Sequence, residues 1–350
     1  MTGAVTEDPL RELDEGFDRA RTRCPDQLVE EVFSVGGVSV RGQLVGLDLA
    51  HLFARSLARD PGTSKQPALT LQLWDEQATG VTPGLLPPQQ DGIVKLGAAG
   101  EKLGFSADGR ILHFSTPHFD IRLDRHDQRA VGWVRSHQRM MPWHRTRPLQ
   151  TLFVPWLGER GRIVVHAAMV AHKGRGIVLA GPPHSGKSTT IAACAAAGLD
   201  VLGDETIAIE IRDDQVWGHC LHGAVKLRRA GLHRHPPPNG ETEMLGAPWQ
   251  EEAVVTFLDS AFPGQVVPTA EVVALGFPHL VPAEETTATA IPPGRALRQL
   301  TGSVLSMEPG RVGSTFDAAA DVAMRVTTYS VAIGTSAQGI ADGLVALLSE

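Results

Sequence analysis

The stretch Gly181-Pro182-Pro183-His184-Ser185-Gly186-Lys187-Ser188-Thr189 leaves few choices for the chain around it. Its spacing is G-x-x-x-x-G-K-[ST], with glycines where the backbone must turn tightly and point successive N–H groups at phosphate oxygens. Lys187 brings a positive charge toward the β- and γ-phosphates and Ser188 a hydroxyl for Mg2+, while a helix starting at Lys187 adds its partly positive N-terminus. Such a loop works only between a buried strand and a helix. Both flanks are predicted: an apolar run over 177–180 before it, and an alanine-rich helix over 187–197, stopped by Gly198, after it. Binding of ATP across residues 181–189, with ADP as its product, is the first functional expectation. His184 stands where many such loops carry glycine and is expected to reshape the cradle slightly.

A second feature comes back to this loop. A helix over 187–197 is about 16 Å long and the extended stretch 199–203 covers about the same distance, so the chain returns to the side it left. Asp204 and Glu205 then stand at the end of a strand, bounded by Val201-Leu202 and an apolar run over 207–211. Two adjacent carboxylates there suit phosphoryl transfer, one holding Mg2+ and the other orienting or deprotonating an acceptor. The competing reading, an acidic turn in solvent, is disfavoured by the apolar flanks. His166 lies in an apolar strand with Val164, Val165, Ala167 and Ala168, and on its own reads as a satisfied core histidine.

Together, His166, the loop and Asp204-Glu205 resemble the HPr kinase/phosphorylase family and its wider group of bacterial HPr-kinase-like proteins. There a strand-borne histidine precedes the loop and an acidic pair follows it at about this spacing. The resemblance covers roughly residues 150–350 and is sharpest over 162–211. It implies an α/β P-loop kinase core with a mixed sheet and ATP and Mg2+ as cofactors. It also implies Asp204 as catalytic base, Lys187 on the phosphates and His166 as an active-site residue near them. Glu205 and Ser188, with Asp204 beside them, become the magnesium contacts. The implied reaction transfers the γ-phosphoryl group to a hydroxyl-bearing acceptor, a serine of a peptide or protein first. A small-molecule alcohol, or a nucleotide-binding ATPase or regulatory module without an acceptor, are the alternatives. The family's bifunctional members carry Glu where this chain has Thr189 and Asp where it has Glu205, so the expectation is confined to the forward kinase core.

Upstream, residues 29–134 read mostly as short strands, at 32–35, 38–45, 68–74, 111–115 and 119–123, with a helix over 47–59 and a loop over 82–92. Behind Pro148, read as a first-turn proline, Leu149, Leu152, Phe153, Trp156 and Leu157 recur at helical spacing. The boundary is therefore set between a β-rich domain over 1–147, whose role the residues do not reveal, and a kinase domain over 148–350. Further strands are expected at 163–165, 169–170 and 330–334, with helices at 317–326 and 340–348. Pro- and Gly-rich stretches at 235–240, 263–268 and 282–295 read as loops, the first and third as a lid that would exclude water.

The net charge of −7 over 350 residues excludes a generally nucleic-acid-binding surface. Cys24, Cys194 and Cys220 form no CxxC pair and fit free thiols in a reducing compartment. The polar, acidic start lacks the pattern of a secretory leader, and no run reaches the roughly 18 apolar residues a membrane helix needs. A cytoplasmic protein without membrane or nucleic-acid partners is expected, with homo-oligomerisation left open. His219, Cys220, His222, His233 and His235 cluster without a zinc spacing and read as a polar loop. Lys226, Arg228, Arg229 and Arg295 could bring charge to a transferring phosphoryl group, and Lys226 is preferred as a supporting residue.

Overall fold

The computed structural model describes residues 8, 10–60, 62, 66–86, 92–97, 100–228, 242–245, 253–305, 307 and 312–349. Arg229, His233, His235, the stretch 235–240 and part of the 82–92 loop lie outside the described residues. The chain divides into two compact units, one made of Met1–Phe33, Val38–Ala54 and Gly62–Arg145, the other of Ser34–Gly37, Arg55–Pro61 and Thr146–Glu350.

In the first unit the strands run Leu28–Val35, Val38–Val45, Leu69–Asp75, Arg129–Val134, Phe119–Asp124, Ile111–Thr116, Lys102–Phe105 and Ile93–Leu96 across one mixed sheet. Helix Arg11–Arg23 lays Leu13, Phe17 and Ala20 against Val45, Trp74, Val131 and Trp133. Its apolar stripe is narrow and its other faces are charged. The helix expected over 47–59 is Leu47–Ser56, because the chain is already extended at Ala58–Arg59.

The second unit is α/β with a mixed sheet in the order Ile163–Val165, Ile207–Arg212, Gln215–Cys220, Thr269–Leu280, Arg175–Ala180, Ala167–His172, Asp200–Gly203. Arg175–Ala180, the strand that feeds the phosphate-type loop, pairs antiparallel with Ala167–His172 and parallel with Thr269–Leu280. Thr269–Leu280 changes partner along its other edge. Its first residues pair with Gln215–Cys220, and from Ala274 onward it pairs with Thr327–Ile333, which also takes Thr287–Ala290. Ala224–Arg228, Ala253–Phe257 and Thr242–Leu245 form a separate small sheet.

Side chains of the central strands alternate between two cores. Ala167, Met169, Val178 and Ala180 face helices Pro293–Leu305 and Val312–Arg325 through Ala296, Leu300 and Val322. Ala168, Val170, Ile177 and Leu179 face helices Lys187–Ala196 and Ala337–Ser349 through Ile191, Cys194, Ile340 and Leu344. Covering on both faces is why these strands read as unbroken apolar runs and why the loop helix itself is nearly all apolar.

Several expectations are corrected. Pro148 precedes the helix Gln150–Gly158 rather than opening it, since Leu149 forms its N-cap at φ +56°. The stretch 282–295 holds the strand Thr287–Ala290 and the first turn of Pro293–Leu305, so it is not a free loop. Among the described residues no helix is long and apolar enough to cross a membrane, and Cys24, Cys194 and Cys220 are free thiols.

One glycine fixes how the chain leaves the edge strand. Gly203 has φ +137°, and a Cβ there would lie 2.6 Å from the backbone oxygen of His222. Gly203→Ala is expected to cost about 2 kcal/mol or more, read as a lower urea midpoint at unchanged slope. An unchanged midpoint would show that the His222 backbone yields freely.

Candidate functional site

Two strand registers bring the site residues to one edge of the sheet. Ala167 pairs with Ala180, so His166 and Gly181 both lie just past the last paired residues. On the other side of Ala167–His172, Met169 pairs with Gly203, and Asp204 leaves the sheet at that same edge. The loop, the histidine and the acidic pair, separate in sequence, are thereby adjacent in space.

Gly186, at φ +106°, caps the helix Lys187–Ala196. Lys187 is buried, and its Nζ donates to the carbonyl oxygens of Gly181 at 2.7 Å and Pro182 at 3.1 Å. The ammonium is thus folded back on its own loop. Burial pulls its pKa down, while Asp204 and Glu205 pull it up. His184 has φ +68°, the left-handed conformation that glycine adopts freely. The loop thus has a glycine-type turn at His184, and holding a side chain there costs about 1 kcal/mol.

Asp204 is 2% exposed. Its Oδ2 accepts the backbone N–H of Lys226 at 3.4 Å, and its Oδ1 has no partner among the described residues. Burial, and then the like charge of Glu205, push its carboxyl up to about 6, against the Ser188 hydroxyl, Lys187 and the Lys226 N–H. Ser185 Oγ and Thr206 Oγ1 are also buried without a partner among the described residues. Native proteins leave few buried polar atoms in this condition, and they concentrate where a ligand or chemistry uses them.

Glu205 sits at φ +69°, and its carboxylate is held by Arg147, Nη1 to Oε2 at 2.6 Å. Its backbone oxygen lies 2.9 Å from His166 Nδ1. A carbonyl oxygen only accepts, so Nδ1 carries the proton and Nε2 keeps its lone pair. Burial first, and Lys187 next, lower the His166 pKa, so the ring is neutral near pH 7.

The supporting residues divide unevenly. Lys226 touches Asp204, but through its backbone N–H rather than its ammonium. Arg228 ends the strand Ala224–Arg228, and Arg295 is exposed near the start of Pro293–Leu305. Arg147 was missed. The boundary at 147 assigned it to the first domain, whereas it clusters with the second unit. Its only local signal is its place before Pro148, on whose carbonyl oxygen the buried His222 donates at 3.0 Å.

The reading of His219, Cys220 and His222 as a polar loop is overturned. His219 and Cys220 belong to strand Gln215–Cys220, and all three are buried. His219 faces Glu210, which also takes Arg162, each at 3.2 Å. Burial drives His222 down to about 3, so it stays neutral. Among the described residues no three His, Cys, Asp or Glu could hold a metal by themselves. Mg2+ does not require that, since it is usually held by one or two carboxylates plus substrate phosphates. Ser188, Asp204 with its unpartnered Oδ1, and Glu205 fit that donor set.

The raised Asp204 pKa has a sign that can be tested. Between the ordinary value of 3.8 and about 6, the folded chain holds a proton that the unfolded chain has released. Stability therefore falls as pH rises through that window, and the ionised carboxylate remains a cost above it. Without metal or nucleotide, Asp204→Asn is expected to exceed the parent in stability at pH 7.5 by on the order of 2 kcal/mol, with the gap closing below pH 4. Urea midpoints at the two pH values measure this. A variant weaker than the parent at both would show a carboxylate well held by its surroundings.

No protein-family model matches the chain, and no curated protein matches it by sequence. Among solved structures, the Hpr(Ser) kinase/phosphatase from Coxiella burnetii aligns with 53% of this chain and 93% of that one, at 11% identity and a TM-score of 0.27. A superposition that loose is a weak structural similarity and does not assign the chain to a family.

Proposed function

We propose that the second unit is an ATP-dependent kinase that transfers the γ-phosphoryl group to an alcohol, with a serine of a peptide or protein as the favoured acceptor. The carrying observation is Asp204. A buried carboxylate with one oxygen unpartnered among the described residues, and a pKa pushed to about 6, lies at the same sheet edge as Lys187 and the loop. Phosphate binding alone has no use for such a group, whereas a general base near neutrality does. The sequence resemblance supports the same roles for His166, Lys187, Asp204 and Glu205. Three free thiols suit a reducing cytoplasm.

In this reading the N–H groups of His184, Ser185 and Gly186 and the helix start at Lys187 cradle the phosphates, Pro182 and Pro183 having no N–H to give. Lys187 exchanges the Gly181 and Pro182 carbonyls for β- and γ-phosphate oxygens. Asp204 takes the proton of the acceptor hydroxyl as its oxygen bonds to the γ-phosphorus. The bond from that phosphorus to the bridging oxygen breaks, and ADP leaves with the electron pair. Neutral His166 offers Nε2 to orient the acceptor. Mg2+, held by Ser188, Glu205 and Asp204 with the phosphates, would supply neutralisation of the phosphate charge.

Lys187→Ala should abolish or severely weaken Mg·ATP binding in calorimetry, with the fold intact by circular dichroism. Asp204→Asn should keep nucleotide affinity within about tenfold yet lose transfer by about 10² or more. Transfer at the parent rate in that variant would remove Asp204 as base. The base must be ionised, so kcat/KM should rise with unit slope at low pH and level off above about 6. A profile flat down to pH 5 would contradict the assignment. Mass spectrometry over a panel of peptides and metabolites identifies the acceptor; ADP and free phosphate alone would make the unit an ATPase.

A further inference from the structure

One ion pair at this edge has a member, Arg147, to which the transfer step above gives no part. Arg147 and Glu205 are 2.6 Å apart, with side-chain exposures of 28% and 23%. Glu205 is also one of the groups proposed to hold Mg2+. A metal on Glu205 would set a dication beside the guanidinium already held at Oε2, and like charges repel, so the two compete for Glu205. Leaving a largely buried cation without its anion is costly, so metal capture must come with a new partner for it.

Surrounding electrostatics say where that partner lies. Arg147 holds Glu205, whose backbone oxygen is 2.9 Å from His166 Nδ1, and His166 feels both Lys187 and Arg147, so the two cations address one region. Lys187 in turn feels Asp204 and Glu205. Two cations and two carboxylates thus offset one another at this edge. The anion that arrives together with the metal is the triphosphate, and a planar guanidinium can grip two of its oxygens at once.

On the kinase reading above, we propose that Arg147 is a metal-released phosphoryl clamp. It holds Glu205 while the site lacks metal, and turns to the γ-phosphoryl oxygens of ATP once Mg2+ takes Glu205. Charge neutralisation by Arg147 is thereby available only after metal and nucleotide are both in place.

Mn2+ serves as the probe, titrated by electron paramagnetic resonance into the full chain at saturating ADP, beside steady-state transfer. Arg147→Gln removes the competitor, so Mn2+ should bind about tenfold tighter while kcat for transfer falls about 10²-fold or more and KM for ATP changes little. Arg147→Lys keeps the charge without the fork and should fall between. In the Glu205→Gln background, Arg147→Gln should leave Mn2+ affinity unchanged. A merely structural arginine would weaken Mn2+ binding, or leave it unmoved, when removed. Unchanged or weaker Mn2+ binding in Arg147→Gln, or unchanged kcat, overturns the proposal; if Arg147→Gln fails to fold, a parent-like Mn2+ affinity and kcat in Arg147→Lys do the same. A parent chain that transfers phosphate to no acceptor is failure of the kinase reading instead, which the parent assay alone reveals.

Discussion

Taking a carboxylate out of water raises its free energy unless charges or hydrogen bonds replace the solvent, and at Asp204 the replacement is partial. Around it stand a backbone N–H from Lys226, the hydroxyl of Ser188, and Lys187, two of whose three donors go to loop carbonyls. Each helps; none neutralises the group outright. The surrounding structure must therefore be stable enough to carry the deficit, and the two apolar cores on either side of the central strands supply that stability. Gly203 belongs to the same compromise, since a side chain there would press on the His222 backbone and shift the carboxylate it precedes.

The parts of this arrangement written in local sequence were legible, and the parts made by distant pairing were not. Two glycines, a lysine and a serine at fixed offsets between an apolar run and an alanine-rich run announce a loop, its strand and its helix without further context. The return of Asp204-Glu205 followed from helix rise and strand length, because only one helix and one short strand intervene. Arg147 gave no comparable signal. Its partner lies far along the chain, and a lone arginine before a proline resembles any surface residue. The histidine cluster misled for a related reason. In strand Gln215–Cys220 polar side chains are buried through specific partners, His219 against Glu210 and Arg162, and a composition-based reading cannot see partners. Helix Pro293–Leu305 was hidden because a proline that opens a helix resembles one that ends it.

The long strand Thr269–Leu280 carries a consequence for how the chain is made. Arg175–Ala180 has a near neighbour in Ala167–His172, three residues upstream of it, but its parallel neighbour begins about ninety residues later. On a ribosome adding about 5–20 residues per second, the completed hairpin stands with one apolar edge unpaired for roughly 5–20 s before that partner emerges. A further stretch must follow before Thr327–Ile333 can close the other side of the same strand. Pairings this remote in sequence are slow to find and expose sticky edges while they wait. The pairings that gather His166, the loop and Asp204 all lie within residues 167–203 and can form before that partner arrives, so nascent-chain yield should be more sensitive to changes in Thr269–Leu280 than to changes in the loop itself.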